Sequence, residues 1–260
     1  MTVDKTPANA ADKNAAKTAA KAAADTTPKG AANTADFGTC AKCPFRNPER
    51  ICDTPDGKAP PFCSTHKYAD IIEKARGIYM SDPRIRKIAH ESAIQEASCY
   101  RPSDDDPKVN VTLKCRIQET IEFAQRMGYK RLGLAFCMGL SAEAAALAKI
   151  LESHGFEVVS AACKVGGIEK SVIDVGPDDR VFPWRAHESM CNPVAQAMIL
   201  NAEKTDFNLL LGLCVGHDTM FFKYAEAPVT VVAVKDRLLA NNPLGAIYSN
   251  YYAHLLKRPK

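Results

Sequence analysis

The second half of the chain alternates short apolar runs with helical patterns. Two runs cover Arg131–Phe136 and Glu157–Ala162, and two more cover residues 207–213 and 228–234. Between the first two runs, residues 141–154 repeat apolar side chains at helical spacing. Strands that alternate with helices are typical of βαβ units, whose strands are parallel. We therefore predict the class α/β, with a small doubly wound, mostly parallel sheet of about four strands in the order 2-1-3-4.

Helical patterns and a cysteine-rich segment precede this sheet. Apolar spacing predicts helices over 64–76, from Ser81 onward and over about 109–127. Residues 1–35 are mostly Ala, Lys, Thr, Asp and Asn, too polar to bury a core, so we expect disorder there. A transit peptide is the alternative, although this segment has no arginine and contains three aspartates. The predicted parts are a disordered tail over 1–36, a cysteine-rich knot over 37–67, a helical segment over 68–128 and a Rossmann-like α/β domain over 129–260.

Composition and charge exclude several classes of protein. Apolar residues make up 46% of the 260 residues, which is enough for a substantial core. No stretch approaches the roughly 20 apolar residues that span a bilayer, and no apolar signal core occurs, so we expect no membrane partner and a cytoplasmic location. The net charge of +4 is small and no basic stripe with interleaved aromatic residues occurs, which argues against nucleic acid as a partner. In a reducing compartment, ten cysteines favour metal binding or catalysis over disulfides.

Cysteines follow three of the predicted strands. Cys137 and Cys163 come directly after the first two strands, and Cys214 follows the third. Cys191 precedes a helical pattern that carries a proline in its first turn. The carboxyl ends of parallel strands and the amino ends of their crossover helices share one edge of the sheet, so we predict that these four sulfurs face one crevice. Four converging thiols could bind a single metal ion or cluster, at metal–sulfur distances of about 2.3 Å.

A second group of cysteines lies in the knot. Its members are Cys40, Cys43, Cys52 and Cys63, with two, eight and ten residues between successive cysteines. This segment has five prolines and few apolar side chains, so a metal or cluster is expected to stabilise it. The spacing suits zinc and an iron–sulfur centre about equally well. The alternative is a redox-active Cys-x-x-Cys pair with two incidental thiols, but no strand precedes Cys40 and no helical pattern begins there.

Polar residues at the same edge of the predicted sheet are candidates for cofactor binding. His217 and Asp218 follow the third strand, where the histidine could ligate, shuttle a proton or hydrogen-bond a sulfur. The structural alternative is a helix-capping aspartate beside a partly exposed histidine. Lys235 ends the fourth strand and suits an anionic ligand, or is merely solvated. Gly166 and Gly167 begin a long irregular link that we expect to cover the site. No glycine-rich phosphate-binding motif occurs, which argues against a dinucleotide.

Motifs around the cysteines carry a resemblance to a known family. They are Cys40-x-x-Cys43 with Pro61-Phe-Cys63, Ala135-Phe-Cys137-Met-Gly-Leu140, Cys163-Lys-Val-Gly-Gly167, Glu188-Ser-Met-Cys-Asn-Pro193, Gly212-Leu-Cys-Val-Gly-His-Asp218, and Ala227-Pro with Val234-Lys-Asp-Arg237 and Asn242-Pro243. On these motifs the sequence resembles, over about 39–256, the DUF1847 group, described as uncharacterised metal-binding proteins of bacteria and archaea. The resemblance implies metal binding but no particular reaction.

Three functional classes follow from these observations. The favoured one is a metal-binding protein with two cysteine thiolate sites, holding zinc or an iron–sulfur cluster and working in electron transfer, with a redox partner protein, or in metal handling. The second is a thiol-dependent enzyme in which Cys137 or Cys214 is the reactive nucleophile. The third is a binding scaffold whose zinc is only structural. The sequence leaves open whether the protein is an enzyme and what its oligomeric state is.

Overall fold

The computed structural model describes residues 37–257, so the predicted tail over 1–36 lies outside the described residues. Within this range the chain forms two compact units, and the boundary between them falls between Asp82 and Pro83. This boundary lies inside the segment 68–128 that the sequence analysis sets apart as helical.

The first unit has little core of its own. A short 3₁₀ turn spans Cys40–Lys42, helix α1 spans Ser64–Lys67 and helix α2 spans Ala69–Ser81. The helix predicted over 64–76 is interrupted at Tyr68, whose backbone leaves the helical conformation at φ −122° and ψ 35°. Pro60 is the one buried residue among residues 37–82. Because this segment has few apolar side chains, it buries almost none of its residues.

The second unit begins with a helical hairpin that contains two short strands. Helix α3 spans Pro83–Ser98, strands β1 and β2 span Tyr100–Pro102 and Asn110–Thr112, and helix α4 spans Arg116–Met127. The two strands pair antiparallel, with Arg101 opposite Val111. The prediction of a helix from about residue 109 is therefore wrong for its first residues, because their β-branched side chains favour extended backbone that pairs with β1.

The remaining elements build the main sheet. In chain order they are β3 Arg131–Phe136, α5 Ser141–Ser153, β4 Glu157–Ala162, α6 Pro193–Ala202, β5 Phe207–Leu211, α7 His217–Tyr224 and β6 Val229–Ala233. The strand order is β4-β3-β5-β6, and every neighbouring pair is parallel. The predicted order 2-1-3-4 and the α/β class are confirmed.

Two hydrophobic cores lie on opposite faces of this sheet. Leu132 and Leu134 of β3 pack against α4 and α5, while Ala135 of the same strand packs with α6 and α7. Strand β5 alternates in the same way, with Leu209 in the first core and Leu210 in the second. Strands that bury both faces are continuously apolar, which explains why their sequences read as unbroken apolar runs.

The described chain ends in two short helices, α8 over Gly245–Tyr248 and α9 over Ala253–Leu256. Among residues 37–257, no helix has both the length and the apolar character needed to cross a membrane.

Candidate functional site

Cys137 and Cys163 extend two neighbouring strands by one residue each. The backbone N–H of Cys137 donates to the carbonyl of Leu211 at 3.0 Å, and that of Cys163 donates to Phe136 at 2.8 Å. Both thiols therefore lie at the carboxyl edge of the sheet. This confirms their predicted position at the ends of β3 and β4.

Cys214 reaches the same edge through a tight turn after β5. Gly212 has φ +69°, and a Cβ in its place would clash with the side chain of Leu140, so only glycine fits. After the turn, the carbonyl of Cys214 accepts hydrogen bonds from the backbone N–H groups of His217 and Asp218, at 3.0 and 3.1 Å. These bonds tie Cys214 to the first turn of α7.

Cys191 lies directly before the N-cap residue of α6. Asn192 caps this helix, because its side-chain oxygen accepts from the backbone N–H of Ala195 at 3.0 Å. The backbone N–H of Asn192 also donates to the carbonyl of Cys163 at 2.6 Å. As a result, the sulfurs of Cys163 and Cys191 lie 3.8 Å apart, although 28 positions separate them in sequence.

The environment of this pair shifts the pKa values of the two thiols in opposite directions. Cys163 is only 3% exposed, and the backbone N–H of Met138 donates to its sulfur at 3.3 Å. The hydrogen bond with Cys191, together with burial, raises the pKa of Cys163. The same hydrogen bond, assisted by the charge of Lys164 and opposed by burial, lowers the pKa of Cys191 to about 7. Within the pair, the proton therefore stays on Cys163 and the negative charge develops on Cys191.

The other two thiols interact with this pair. A negative charge on Cys214 or Cys137 would raise the pKa of Cys191, and Cys137 opposes the rise in the pKa of Cys163. Cys137 and Cys191 also pack against the same apolar cluster, in which Cys163 is buried. Cys137, Cys163 and Cys191 thus lie in one packing cluster, and the convergence of all four thiols on one crevice stays a prediction.

We call Cys137, Cys163, Cys191 and Cys214 the edge cysteines. Basic side chains lie next to them. Arg237 donates from Nη2 to the Cys214 sulfur at 3.1 Å. A Cβ placed on Gly139 would lie 3.8 Å from the Cys137 sulfur and 4.0 Å from the Lys235 Nζ, so this lysine lies near Cys137, and its role in binding an anion stays a prediction. Positive charges next to sulfur stabilise thiolates and any anionic complex that they form.

His217 and Asp218 occupy the first turn of α7. Burial, with contributions from the cations Arg237 and Lys170, lowers the pKa of His217 despite the charge of Asp218. A neutral imidazole is the form that ligates metals. In the described contacts, Asp218 accepts from the backbone N–H of Thr219 at 2.8 Å within the first turn, whereas the N-cap position of α7 is held by Gly216.

Gly166 and Gly167 form the turn that follows Cys163. Their φ values are +90° and +61°, a conformation that glycine adopts without strain. The backbone N–H of Gly167 donates to the carbonyl of Lys164 at 3.1 Å and closes the turn. The described contacts give these glycines a role in chain direction, and their role in cofactor binding stays a prediction.

A buried ion pair that the sequence analysis missed holds the long link between Cys163 and Cys191. Glu188 is 3% exposed and pairs with Lys170. It also accepts hydrogen bonds from the backbone N–H groups of Phe182 and Val181, at 2.8 and 3.4 Å. Only two residues lie between Glu188 and Cys191 in the sequence, so this network helps to place the cysteine. An acidic residue inside a cysteine motif was the available signal.

The cysteines of the knot are not brought together in the same way. Cys40 donates to the hydroxyl of Ser64 at 3.2 Å, and the backbone N–H of Cys43 donates to the Cys40 carbonyl at 3.0 Å. Cys52 is exposed. Burial acts to raise the pKa of Cys63, but hydrogen bonds from the Thr65 side chain and from the first turn of α1 lower it overall. The described contacts of residues 37–82 join none of these thiols to another.

Among the side chains that the structure describes, which exclude those of residues 253–254, no group of three or more His, Cys, Asp or Glu is placed so that it could hold a metal ion. The edge cysteines therefore form a cluster of interacting thiols whose side chains are not arranged as a coordination sphere.

A separate cavity of about 480 Å³ opens at the amino ends of the strands, on the side opposite the edge cysteines. Phe207, Val229 and Tyr129 contribute to its lining, together with Cys99. Burial and the neighbouring Glu119 raise the pKa of Cys99, which keeps it a neutral thiol. Cys115, in the same unit, is exposed.

Comparisons with known proteins show the family that the sequence motifs indicate, although the family model matches a shorter range than residues 39–256. The family described as "Protein of unknown function (DUF1847)" matches residues 63–232. An uncharacterised protein of the archaeon Methanocaldococcus jannaschii is 44% identical over 191 residues, which cover 74% of this chain and 90% of that protein. The family match contains all four edge cysteines and Cys63, whereas Cys40, Cys43 and Cys52 precede it.

Proposed function

The chain belongs to the DUF1847 family, and we propose that it binds a metal ion or an iron–sulfur cluster through four thiolates at the carboxyl edge of its sheet: Cys137, Cys163, Cys191 and Cys214. The family match and the identity with the archaeal relative establish the family. The metal is our inference from the geometry and charge of the thiols.

One distance carries the proposal. Two sulfurs that each lie about 2.3 Å from one tetrahedral metal are about 3.8 Å from each other. The sulfurs of Cys163 and Cys191 are 3.8 Å apart. Two of the four thiols therefore already have the separation that a shared metal requires, and Cys137 and Cys214 are the proposed third and fourth ligands.

The charges around the thiols support a metal–thiolate complex. A divalent ion with four thiolates carries a net charge of about −2 and needs compensation when it is partly buried. Lys164 acts on Cys191, Arg237 donates to Cys214, and Lys235 lies beside Gly139 near Cys137. The backbone N–H of Met138 donates to the sulfur of Cys163, as amide donors do around metal-bound thiolates. The donor set thus fits zinc or an iron–sulfur cluster.

Each candidate metal would supply a different function. An iron–sulfur cluster would transfer single electrons to and from a redox partner protein. Zinc would be structural, or cargo in metal handling. In both cases the residues of this chain hold the thiolates in place, balance their charge and restrict water at Cys163.

We propose a second thiolate site in the knot, formed by Cys40, Cys43, Cys52 and Cys63. Its support is the ligand spacing, together with the near absence of buried residues in this segment, which suggests that a bound metal stabilises it. Zinc and an iron–sulfur cluster suit this site equally.

A thiol-dependent enzyme is the second candidate function. The observation that favours it is the pKa of Cys191, which the hydrogen bond with Cys163 lowers to about 7, so that much of this thiol is ionised at neutral pH. Cys214, beside Arg237, is a further candidate nucleophile, and Cys137 is the third.

Anaerobic purification, elemental analysis and a visible spectrum distinguish these functions. Iron and sulfide, with broad absorption at about 400 nm, would identify an iron–sulfur cluster. Zinc in a colourless protein would identify a zinc site. Protein without any bound metal, in which one cysteine is alkylated much faster than the rest, would favour the thiol enzyme and contradict the metal proposal.

A further inference from the structure

Cys163 and Cys191 are arranged so that a covalent bond between them requires little movement. Their sulfurs lie 3.8 Å apart, and a disulfide has an S–S distance of about 2.05 Å, so the sulfurs must approach by about 1.8 Å. The backbones are already in contact, because the N–H of Asn192 donates to the carbonyl of Cys163 at 2.6 Å. Side-chain rotation at the two cysteines therefore accounts for most of the approach.

The two thiols differ in their access to solvent. Cys163 is 3% exposed, whereas Cys191 is only half-buried. A small oxidant thus reaches Cys191 first. Cys163 is in contact with Cys191 but is shielded from direct attack by the oxidant.

We propose that Cys163 and Cys191 are a reversible redox pair, in which a hydroperoxide oxidises Cys191 and Cys163 then closes an intramolecular disulfide. In the first step the Cys191 thiolate attacks one oxygen of the hydroperoxide, the O–O bond breaks, and the leaving oxygen takes up a proton. Cys191 is then a sulfenic acid. In the second step the Cys163 sulfur attacks the Cys191 sulfur, the S–O bond breaks, and water leaves with the proton of Cys163. Two thiols lose two electrons in total, and the hydroperoxide gains them.

The surroundings of the pair favour a disulfide between Cys163 and Cys191 over one with Cys137 or Cys214. Cys214 is held by Arg237 at 3.1 Å. Cys137 follows the neighbouring strand β3, whereas the bond from the Asn192 N–H to the Cys163 carbonyl holds the backbone beside Cys191 against that of Cys163. The N–H of Met138 holds the Cys163 sulfur in position at 3.3 Å.

Closing this disulfide removes two of the four proposed metal ligands. The release of metal on oxidation rests on the proposed function, whereas the disulfide itself does not require a metal.

The test uses the full chain, with hydrogen peroxide as the oxidant. The protein is treated with a small excess of peroxide, as purified and after chelation, and free thiols are then blocked with N-ethylmaleimide. Peptide mass spectrometry maps the products, and elemental analysis follows the metal in parallel. We expect a linked peptide that joins Cys163 to Cys191, a loss of two hydrogen masses from the intact protein, and full reversal by dithiothreitol.

Two variants and one control make the test specific. In Cys191→Ser the linked peptide disappears. In Cys163→Ser, Cys191 instead advances to the sulfinic state, since its resolving thiol is missing. Cys115→Ser, an exposed cysteine in another part of the unit, keeps the linked peptide. If Cys163→Ser does not fold, Cys191→Ser still decides the assignment, because its thiol is only half-buried.

The outcomes separate this inference from the proposed function. A Cys163–Cys191 link in protein that never contains metal supports the redox pair and contradicts the proposed metal site. Bound metal with a link from Cys163 to Cys137, or with no link at all, overturns the redox pair and leaves the metal site standing. If the metal stays bound after the Cys163–Cys191 link has formed, the proposed release of metal on oxidation is wrong.

Discussion

The guanidinium of Arg237 lies 3.1 Å from the sulfur of Cys214, in a charge-assisted contact between residues that are 23 positions apart. Cys214 follows β5, and Arg237 follows the neighbouring strand β6. The parallel pairing of these strands therefore brings a fixed positive charge onto one of the proposed ligands.

Replacing Arg237 by leucine removes this charge without removing a ligand. We expect Arg237→Leu to bind zinc about tenfold more weakly, because residues that support metal ligands typically change affinity by 10- to 100-fold. Competition with a chromophoric chelator measures the affinity. Arg237→Lys should recover part of it, and Arg101→Leu, which lies in the β1–β2 hairpin, serves as the matched control. Equal affinities for Arg237→Leu and the parent would show that this contact does not support a metal site.

Gly133 in the middle of β3 is expected to tolerate no side chain. A Cβ there would clash with the Asn208 side chain and lie 2.7 Å from the Leu200 Cδ1. Asn208 is fully buried and accepts a hydrogen bond from Thr205 at 2.8 Å, so it cannot move without a cost. Gly133→Ala should therefore lower the free energy of unfolding by about 1–3 kcal/mol. Urea denaturation measures this change.

The matched control for Gly133 is Gly176→Ala, where a Cβ meets no atom within 4 Å. We expect this variant to unfold at nearly the same urea concentration as the parent. A Gly133→Ala protein as stable as the control would contradict the described packing between β3 and β5.

Glu188 gives the fold a stability that depends on pH. The hydrogen bond from Lys170, opposed by burial and aided by the backbone N–H groups of Phe182 and Val181, lowers the pKa of Glu188 from its ordinary 4.5 to about 2. A lowered folded-state pKa means that the carboxylate stabilises the fold fully above pH 4.5, and that this contribution is lost as the pH falls toward 2.

Glu188→Gln should consequently be less stable than the parent at neutral pH, and the difference should narrow as the pH falls below 4.5. Urea denaturation at neutral pH and at about pH 3 measures both values. Asp178→Asn, an exposed carboxylate in the same link, is the control and should show little difference at either pH. A constant difference between Glu188→Gln and the parent at the two pH values would contradict the buried ion pair.

Much of the sheet could be predicted because its strands are buried on both faces. The bounds of β3 and β4 agree with the apolar runs to the residue, since polar residues, glycine or cysteine interrupt the pattern at their ends. The strand order followed from short connections and from the rules for parallel units. The positions of Cys137, Cys163 and Cys191 at one edge followed in turn.

Other features depend on contacts that a local pattern does not contain. The β1–β2 hairpin was missed because the apolar residues before α4 fit a helix and a strand equally well. The pairing of Glu188 with Lys170 joins two parts of an irregular link, and no periodicity marks it. The sequence also could not single out Cys191 as the thiol of lowered pKa, because this property comes from its hydrogen bond with Cys163.

The most direct test of the metal proposal is the metal content of Cys214→Ser compared with that of Cys115→Ser and the parent, all purified anaerobically. We predict that Cys214→Ser loses the metal of the edge site, retains any metal of the knot, and stays folded by circular dichroism. Cys115→Ser should match the parent. Equal metal content in all three proteins would contradict the assignment of a metal to the edge cysteines.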